Sequence, residues 1–341
     1  FFGSFQHYSA LILQSLINTK EINVVSVVTT PPMPTGRKQI ITKTPVHTLA
    51  NQYSIPVLTP ENLLNKPALP TIPKPDFFIT AGYGKIFPKS WLNYPKHDSL
   101  NLHFSLLPNY RGANPAEWAI MCGESKTGIT LIKMNSKLDG GDIVEQRELP
   151  ITATDTRKTL YQKLYELGAK ELPDMVIRYH QRIQKNQFAC QQSLAPKSQP
   201  AKSPTPYAAL LKRNDGYLPW STIQKFLKKQ SLEPSDFPSK HFQNALMYYL
   251  ERNGLQSEHA QPNAFRQSIM QDYKPSIEKF ISNLPRALAD YPSLWTIVST
   301  KKGDKRMKIL KFKPLTVQIE GKQPSLFNQI KNQILISNLR G

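Results

Sequence analysis

The sequence predicts an α/β fold in which a doubly wound, mostly parallel sheet is followed by a smaller, β-rich domain. Short apolar runs rich in β-branched residues alternate with amphipathic segments through the first half of the chain, as in a parallel sheet covered by helices. Residues 189–206 are rich in Pro, Ser, Gln and Lys and have no periodicity, which is typical of a linker. Two further strand-like runs lie beyond this linker and are joined by a basic turn.

Apolar runs bounded by polar, Gly or Pro residues predict the buried strands of the first domain. These runs are Ile22–Val28, Asp76–Ala81, Ser99–His103 and Gly128–Met134. Phe1-Phe2-Gly3 has the composition of the last residues of a strand, and we expect that strand to begin before residue 1. Helical spacing of apolar residues predicts helices at Tyr8–Leu16, Ala113–Cys122 and Thr156–Gln184, the last interrupted near Gly168 and Pro173. The alternation of strands and helices predicts that residues 1–188 form a Rossmann-like domain.

The second domain is predicted to cover residues 207–341. Its helices are predicted at Ser221–Lys229 and Ser276–Leu288. Its strands are predicted at Trp295–Ser299 and Met307–Phe312, on either side of the turn Lys301–Lys305.

The charge of the chain is unevenly distributed. Among 341 residues there are 44 Lys or Arg and 24 Asp or Glu, which gives a formal net charge of +20. Residues 1–190 carry +7 of this charge and residues 191–341 carry +13. The asymmetry favours a polyanionic partner for the second half, and a solvated basic surface that only maintains solubility is the alternative.

Composition also excludes several classes of protein. Two cysteines are too few for a disulfide scaffold or for a zinc site on their own. There is no apolar run of about 20 residues, the length needed to span a bilayer. Residues 1–5 lack the pattern of a secretory signal, so we expect a cytoplasmic protein with no membrane partner.

Asn101 and His103 form the first candidate site. They lie at the end of a predicted strand, where alternation directs both side chains to the same side of the sheet. An amide and an imidazole that point together into a crevice suit the stabilisation of an oxyanion. Asp139, in a Gly-rich turn after the next strand, is the candidate carboxylate that orients the imidazole. On spacing alone, such a pair is more often structural and Asp-Gly-Gly is usually only a turn.

The residues around this site resemble the core signature of the folate-dependent formyltransferases. The stretch Ser99–Asp142 contains Asn-x-His-x-Ser-Leu-Leu-Pro, Arg111-Gly112, Pro115, Thr127-Gly128 and Asp139-x-Gly141-Asp142. The resemblance implies formyl transfer from 10-formyltetrahydrofolate to a primary amine, with Asn101, His103 and Asp139 as the catalytic residues. It also implies a folate site made of Ser105, Leu106, Leu107, Pro108, Tyr83, Gly84, Lys85 and Ile86. From pattern alone, Leu106 and Leu107 are better explained as ordinary core residues.

The acceptor is indicated by two other segments. Thr29–Val46, with Pro34-x-Gly36-Arg37-Lys38, resembles an insertion found in the family members that formylate methionyl-tRNA. As a mobile Pro/Gly segment it would present Arg37, Lys38 and Lys43 to the RNA, and a charged surface loop is the alternative. Tyr207–Trp220 resembles the entry to the C-terminal domain of those members, which implies an OB-like, tRNA-binding barrel. Residues at about 230–275 are an addition to that pattern and are expected to form a helical hairpin.

The resemblance therefore implies a monomeric enzyme that formylates initiator methionyl-tRNA with folate as co-substrate and without a metal. The histidines other than His103 have no metal-ligand spacing. One alternative is a formyltransferase for an amino-sugar nucleotide, whose loop lacks the Pro-x-Gly-Arg-Lys pattern. A glycinamide ribonucleotide formyltransferase would need neither the linker nor a basic second domain. A catalytically silent tRNA-binding protein is a further alternative, although it would have no reason to keep Asn101, His103 and Asp139.

Overall fold

The structure is a computed structural model that describes residues 1–36, 38–64, 74–188, 195–255 and 273–334. It divides into two compact units that interleave along the chain. The first unit comprises Phe1–Ala113, Lys126–Pro150 and Tyr161–Pro204, and the second comprises Asn114–Ser125, Ile151–Leu160 and Thr205–Gly341. The domain limits at residues 188 and 207 stay a prediction from composition.

The first half of the chain contains strands and helices in mixed order, with α2, α3 and α4 each between strands. The strands of this half are β1 (Val27–Val28), β2 (Met33–Thr35), β3 (Ile40–Thr42), β4 (Val57–Leu58), β5 (Phe77–Thr80), β6 (Asp98–His103), β7 (Lys126–Lys133) and β8 (Ile143–Pro150). The helices of this half are α1 (Tyr8–Ile17), α2 (Pro45–Gln52), α3 (Lys89–Leu92), α4 (Pro115–Met121) and α5 (Arg157–Phe188).

Helices come first in the second half. They are α6 (Trp220–Leu227), α7 (Lys240–Arg252) and α8 (Lys274–Ala287), followed by the short α9 (Phe327–Ile330) near the end of the described residues. The strands are β9 (Trp295–Thr300), β10 (Gly303–Phe312), β11 (Leu315–Ile319) and β12 (Ser325–Leu326).

The sheet of the first unit is Rossmann-like but mixed, so the prediction of a mostly parallel sheet was wrong for its second half. β1 pairs with β4 and β5 pairs with β6 in parallel, whereas β7 is antiparallel to both β6 and β8. Phe2 bridges both Val28 and Thr80 in parallel, which places the first residues between β1 and β5. The segment between β7 and β8 contains no helix, and strands joined without a crossover pair antiparallel.

The core of this unit is aromatic around Phe2. Its ring lies edge-on to those of Phe78 at 4.8 Å, Phe87 at 4.9 Å and Trp91 at 5.8 Å. Edge-to-face pairs of this kind add to the stabilisation from burial. The sheet is therefore anchored where the first residues meet β5.

Helix α5 runs without a break through Gly168 and Pro173, so the predicted interruptions were wrong. A Cβ at Gly168 would stand 2.8 Å from a methyl carbon of Leu102 and 3.0 Å from one of Ile12. The glycine thus permits close packing of α5 on the sheet and does not end the helix.

Residues 29–46 contain an antiparallel hairpin where the sequence predicted a mobile loop. β2 and β3 pair from Met33↔Thr42 to Thr35↔Ile40, and the Thr35 and Thr42 hydroxyls lie 2.6 Å apart. The turn uses Gly36 at φ +69°, a conformation that glycine adopts without strain. The β-branched residues of β3 favour the strand.

The second unit is built around the buried helix α4. All residues of α4 are buried, and the helix packs against α8. It ends as predicted at Gly123, whose φ of +65° suits a helix C-terminus. A Cβ at Gly123 would stand 2.6 Å from the ring of Tyr249 in α7. Helix α7 lies in the segment at about 230–275 that was expected to be a helical hairpin, and residues 256–272 of that segment lie outside the described residues.

The strands of the second unit form a four-stranded antiparallel sheet in the order β12-β11-β10-β9. α8 packs against β10, and the rings of Phe226 and Phe312 meet at 4.7 Å. Among the described helices of both units, none combines the length and the apolar character needed to cross a bilayer.

Candidate active site

The end of β6 carries Asn101 and His103 on one side of the sheet, because alternate residues of a strand face the same way. Thr80 of β5 lies opposite Asn101, and Thr130 of β7 lies opposite His103. His103 is only 6% exposed, whereas Asn101 is partly exposed. The amide is thus accessible next to a largely dehydrated imidazole.

Each ring nitrogen of His103 faces an oxygen atom. Nε2 lies 3.0 Å from the carbonyl oxygen of Tyr110, and Nδ1 lies 3.5 Å from Oδ1 of Asp139. A carbonyl and a carboxylate are both acceptors, and only a doubly protonated imidazole donates from both of its nitrogens. The geometry therefore suits an imidazolium between two oxygens. The longer contact is an ion-pair separation and not a hydrogen bond.

Asp139 reaches His103 by a route that the sequence did not indicate. Because β7 is antiparallel to β6, Lys133 at its end lies opposite Leu100, about 10 Å before His103 along β6. The turn between β7 and β8 must therefore fold back along the sheet to bring the carboxylate to the imidazole.

The turn itself fixes the orientation of the carboxylate. Asp139 has φ of +50°, in the left-handed region that Asp tolerates better than most residues. Its Oδ2 accepts a hydrogen bond from the backbone N–H of Gly112 at 2.9 Å, which leaves Oδ1 directed at His103. A Cβ at Gly141 would stand 1.8 Å from the carbonyl oxygen of Lys133, so this position of the turn requires glycine.

The segment after His103, predicted to bind folate, is held by side chains of β7 and β8. The Thr130 hydroxyl donates to the carbonyl of Ser105 at 2.6 Å and accepts from the backbone N–H of Leu107 at 3.1 Å. Gln146 donates to the carbonyl of Leu107 at 2.9 Å. Ser105 and Leu107 are buried, whereas Leu106 and Pro108 are partly exposed. The exposed pair is the part of this segment that is available to a ligand.

The second predicted folate segment follows β5. Tyr83 belongs to the aromatic core, and burial raises the pKa of its hydroxyl to about 12. Lys85 donates to the carbonyl of Pro60 at 2.8 Å, and burial lowers the pKa of this ammonium group. Gly84 adopts φ of +73°, and Ile86 is 76% exposed. An exposed apolar side chain therefore lies in the loop at the carboxyl end of β5.

The residues predicted to contact tRNA lie in or beside the hairpin of β2 and β3. Lys38 in its turn and Lys43 after β3 are exposed. Arg37 lies outside the described residues. The base of the hairpin is closed by the hydroxyls of Thr29 and Thr44, which lie 2.8 Å apart.

Two residues at this site were not found from the sequence. Tyr110 supplies the carbonyl that faces His103, while Gln199 contacts the turn that carries Asp139 and also the guanidinium of Arg111. Main-chain groups leave no signal in side-chain composition, and Gln199 lies in the segment that was interpreted as a linker.

The arrangement can stabilise negative charge on an oxygen and move a proton. An amide N–H and an imidazolium N–H are suitable oxyanion donors, and a carboxylate–imidazole pair is a general acid–base system. Within the described ranges, no group of three or more His, Cys, Asp or Glu side chains is arranged to hold a metal ion.

Comparison with known proteins relates the first half of the chain to enzymes of one-carbon transfer. A methionyl-tRNA formyltransferase of Listeria welshimeri is 43% identical over 169 residues, which are 49% of this chain and 54% of that protein. One of Geobacillus sp. (strain WCH70) is 44% identical over 171 residues, 50% of this chain and 54% of that protein. The chain thus spans about half the length of these curated relatives.

A solved structure gives a weaker likeness. An N-formyltransferase from Helicobacter canadensis, in complex with folinic acid and dTDP-3-aminofucose, is 22% identical with a TM-score of 0.44, covering 62% of this chain and 71% of that one. The family model described as formyl transferase matches residues 1–176, just over half of the chain. The matched range includes β6, the turn of Asp139 and the segment Ser105–Pro108. By this match, the chain belongs to the formyl transferase family.

Proposed function

We propose that this chain transfers the formyl group of 10-formyltetrahydrofolate to the free amino group of initiator methionyl-tRNA. The observation that carries the proposal is His103, which lies between the Tyr110 carbonyl and the Asp139 carboxylate and two residues after Asn101, in a member of the formyl transferase family. The relatives that match about half of the chain are named methionyl-tRNA formyltransferases. We propose methionyl-tRNA as the acceptor because these relatives are named for it.

The proposed catalytic residues act on charge and on a proton. As the amine attacks the formyl carbon, negative charge develops on the formyl oxygen. Asn101 donates a hydrogen bond to this oxygen, and the Nε2–H of His103 donates to it in place of the Tyr110 carbonyl that it faces before the substrate binds. Asp139 holds the imidazolium of His103 in orientation. His103 and Asp139 then assist the transfer of the proton that the amine loses to the folate nitrogen, whose bond to the formyl carbon breaks. No covalent enzyme intermediate is required.

The loops after β5 and β6 offer apolar side chains to a ring of the folate. Thr80 and Asn101 are paired in the parallel strands, so the loops that follow them begin at the same edge of the sheet. Ile86 in the first loop is exposed, and Leu106 in the second is partly exposed. When bound there, the folate supplies the formyl group, and these two side chains would pack against its ring.

We propose that the hairpin of β2 and β3 contacts the acceptor end of tRNA. It presents exposed Lys38, together with Lys43 just after it and Arg37 from the sequence pattern. Phosphate contacts by such residues give affinity that falls as salt rises.

We propose further that residues 207–341 form an OB-like, tRNA-binding domain, joined by the linker 189–206 to a catalytic domain of residues 1–188. In support, the described strands of this region are antiparallel, and residues 191–341 carry a net charge of +13. The guanidinium of Arg306 lies 4.5 Å from the ring centre of Trp295, and Lys308 is paired with Trp295 across β9 and β10. Aromatic and basic residues on one sheet face are typical of nucleic-acid binding.

The acceptor can be identified by direct competition. The purified chain would be given 10-formyltetrahydrofolate with methionyl-tRNA, an amino-sugar nucleotide or glycinamide ribonucleotide, and the formylated product would be measured. We expect formylation of methionyl-tRNA. Transfer to the amino-sugar nucleotide instead would show that the proposed acceptor is wrong.

The variant His103→Ala tests the mechanism. We expect it to reduce formylation by about 10²–10³-fold, as for the loss of one oxyanion donor, with tRNA affinity unchanged. The control is His7→Ala, because His7 is an exposed histidine of the first unit. Full activity in His103→Ala would exclude the mechanism.

A further inference from the structure

The last segment of the first unit, Lys197–Ser203, lies next to the candidate site. Lys197 pairs antiparallel with Ile143 at the start of β8, with N–O distances of 2.7 and 2.8 Å. The Ser203 hydroxyl donates to the carbonyl of Pro108 at 2.9 Å. Although its composition is that of a linker, the segment from Lys197 to Ser203 is therefore part of the structure around the site.

Gln199 contacts the main chain of the turn that carries Asp139. Its side-chain N–H groups donate to the carbonyl oxygens of Asp139 at 2.9 Å and Gly141 at 2.6 Å. Its Oε1 accepts from Nε and Nη2 of Arg111 at 3.1 and 2.9 Å. Both ends of the amide are thus used, and the orientation of the amide is fixed by the requirement for donors on one side and an acceptor on the other.

Arg111 connects these contacts to the carboxylate. Its Nη2 also donates to the carbonyl of Pro200 at 2.8 Å, so the guanidinium is held by Gln199 and by the backbone that follows it. The next residue, Gly112, donates its N–H to Oδ2 of Asp139. The main chain of Asp139 is therefore held by Gln199, and its side chain is held by the residue next to Arg111.

We infer that Gln199 is a positioning residue, which holds the turn so that Oδ1 of Asp139 faces Nδ1 of His103. Asp139 has a left-handed φ of +50°, which is unfavourable for a non-glycine residue unless neighbouring contacts maintain it. The hydrogen bond to its carbonyl oxygen is such a contact. A test of this inference by formylation activity rests on the proposed function. A test by the distance between His103 and Asp139 does not.

Two substitutions separate the donor role of Gln199 from its contact with Arg111. Gln199→Ala removes both. Gln199→Glu keeps an oxygen for Arg111 but replaces the donor with an oxygen that faces the carbonyls of Asp139 and Gly141. Two acceptors at that distance repel, so the carboxylate variant should disturb the turn although it preserves the contact with the guanidinium. Gln52→Glu is the matched control, because Gln52 is exposed at the end of α2.

The experiment measures steady-state formylation, thermal melting and crystal structures of the full chain and its variants. We expect both Gln199 variants to lower kcat roughly 10- to 100-fold, as for a misplacement of about 1 Å, with the KM for the formyl donor within about twofold. Combined with Asp139→Asn, either variant should cause no further loss, because the effect passes through Asp139. If the double variant lost kcat by the product of the two single losses, the inference would be overturned. It would also be overturned if the KM for the formyl donor rose by as large a factor as kcat fell.

The crystal structures decide the inference independently of the reaction. In the Gln199 variants we expect the separation between His103 Nδ1 and Asp139 Oδ1 to increase, and in Gln52→Glu we expect it to stay unchanged. If the wild-type chain formylates no acceptor offered, the proposed function fails and the separation alone is the test. An unchanged separation in both Gln199 variants would show that Gln199 does not position Asp139.

Discussion

His103 and Asp139 are held by main-chain groups as much as by each other. The carbonyl of Tyr110 faces one nitrogen of the ring, and the N–H of Gly112 holds the carboxylate that faces the other. Tyr110 at φ +55° and Asp139 at φ +50° are both left-handed, which costs about 1–2 kcal/mol per non-glycine residue. Both of these residues contact the same imidazole.

The role of Asp139 is testable by an isosteric change. Asp139→Asn removes the negative charge opposite His103 and should lower kcat by about 10²–10⁴-fold, the usual contribution of a general acid–base system. Steady-state formylation of methionyl-tRNA measures the effect. Asp174→Asn is the control, because Asp174 is an exposed aspartate of α5 in the first unit. An Asp139→Asn variant as active as this control would contradict the proposed relay.

At the scale of single residues, the sequence identifies the catalytic side chains but not the groups that hold them in position. Asn101 and His103 are two residues apart on one strand, and Asp139 lies in a recognisable turn, so a local pattern was enough to select them. Strand direction was interpreted as parallel, so the turn's path back along the sheet was not expected. Contacts made by carbonyl and N–H groups depend on the folded backbone, which residue types do not specify.

At the scale of elements, the turn between β7 and β8 depends on glycine at position 141. Gly141→Ala should lower the free energy of unfolding by about 2–3 kcal/mol, because the new methyl group would overlap the carbonyl of Lys133. Urea unfolding measures the loss. Gly321→Ala is the control: Gly321 has φ of +80° with nothing within 4 Å of an added Cβ, so only backbone strain of about 1 kcal/mol is expected. Equal losses would show that the close approach is relieved by movement.

β8 is tied to α5 through Glu145, which contacts the guanidinium groups of Arg178 at 3.0 Å and Arg147 at 2.7 Å. Burial alone would raise the pKa of Glu145, but the two guanidiniums outweigh it and the pKa is lowered. A carboxyl whose pKa is lower in the folded chain adds stability above its ordinary pKa near 4.5, and this stability is lost as the pH falls through the lowered value.

Glu145→Gln should therefore lower the free energy of unfolding by about 1 kcal/mol at pH 7, since charged hydrogen bonds that are partly exposed contribute that much. The difference from wild type should shrink below pH 4.5 and vanish once the carboxyl is protonated in both states. Urea unfolding from pH 7 to pH 3 measures it. Glu148→Gln is the matched control, because its pair with Lys126 is exposed and should contribute at most about 0.5 kcal/mol. A difference that is independent of pH would contradict the ion-pair explanation.

Several elements with strong apolar patterns were predicted well, although the strand predicted at Ile22–Val28 is limited to Val27–Val28. Other strands were missed. β6 and β7 were found within two or three residues of their ends. β8 was missed because half of its residues are polar and Val144 is its one buried residue. β11 follows β10 after a turn of two residues, and its alternating sequence Leu-Thr-Val-Gln-Ile is a strand pattern that was overlooked. Pairing with a neighbouring strand forms β8, and a single-segment pattern does not contain that information.

In the whole molecule, the boundary between the less basic and the more basic half does not coincide with the boundaries of the two compact units. The compact units interleave, whereas the charge changes near residue 190. The excess in the second half includes Lys301, Lys302 and Lys305 around the turn of β9 and β10. In the proposed function these residues add affinity for tRNA, with no role in the chemistry at His103. Affinity and catalysis should therefore respond to different substitutions.

Replacing Lys301, Lys302 and Lys305 together by Gln tests this separation. If all three contact phosphates, the slope of log K against log salt for tRNA binding should decrease in magnitude by about 2–3, since each contact contributes about 0.7–0.9. The rate constant for formyl transfer at saturating tRNA should stay within about twofold, because the catalytic trio is intact. The control replaces Lys20, Lys89 and Lys170, three exposed lysines of the first unit, and removes the same net charge. If both triple variants change the slope equally, then total charge and not the β9–β10 turn determines binding. A slope that changes only in the first variant would place RNA phosphates at this turn, because screening of distant exposed charges is the same for the two proteins.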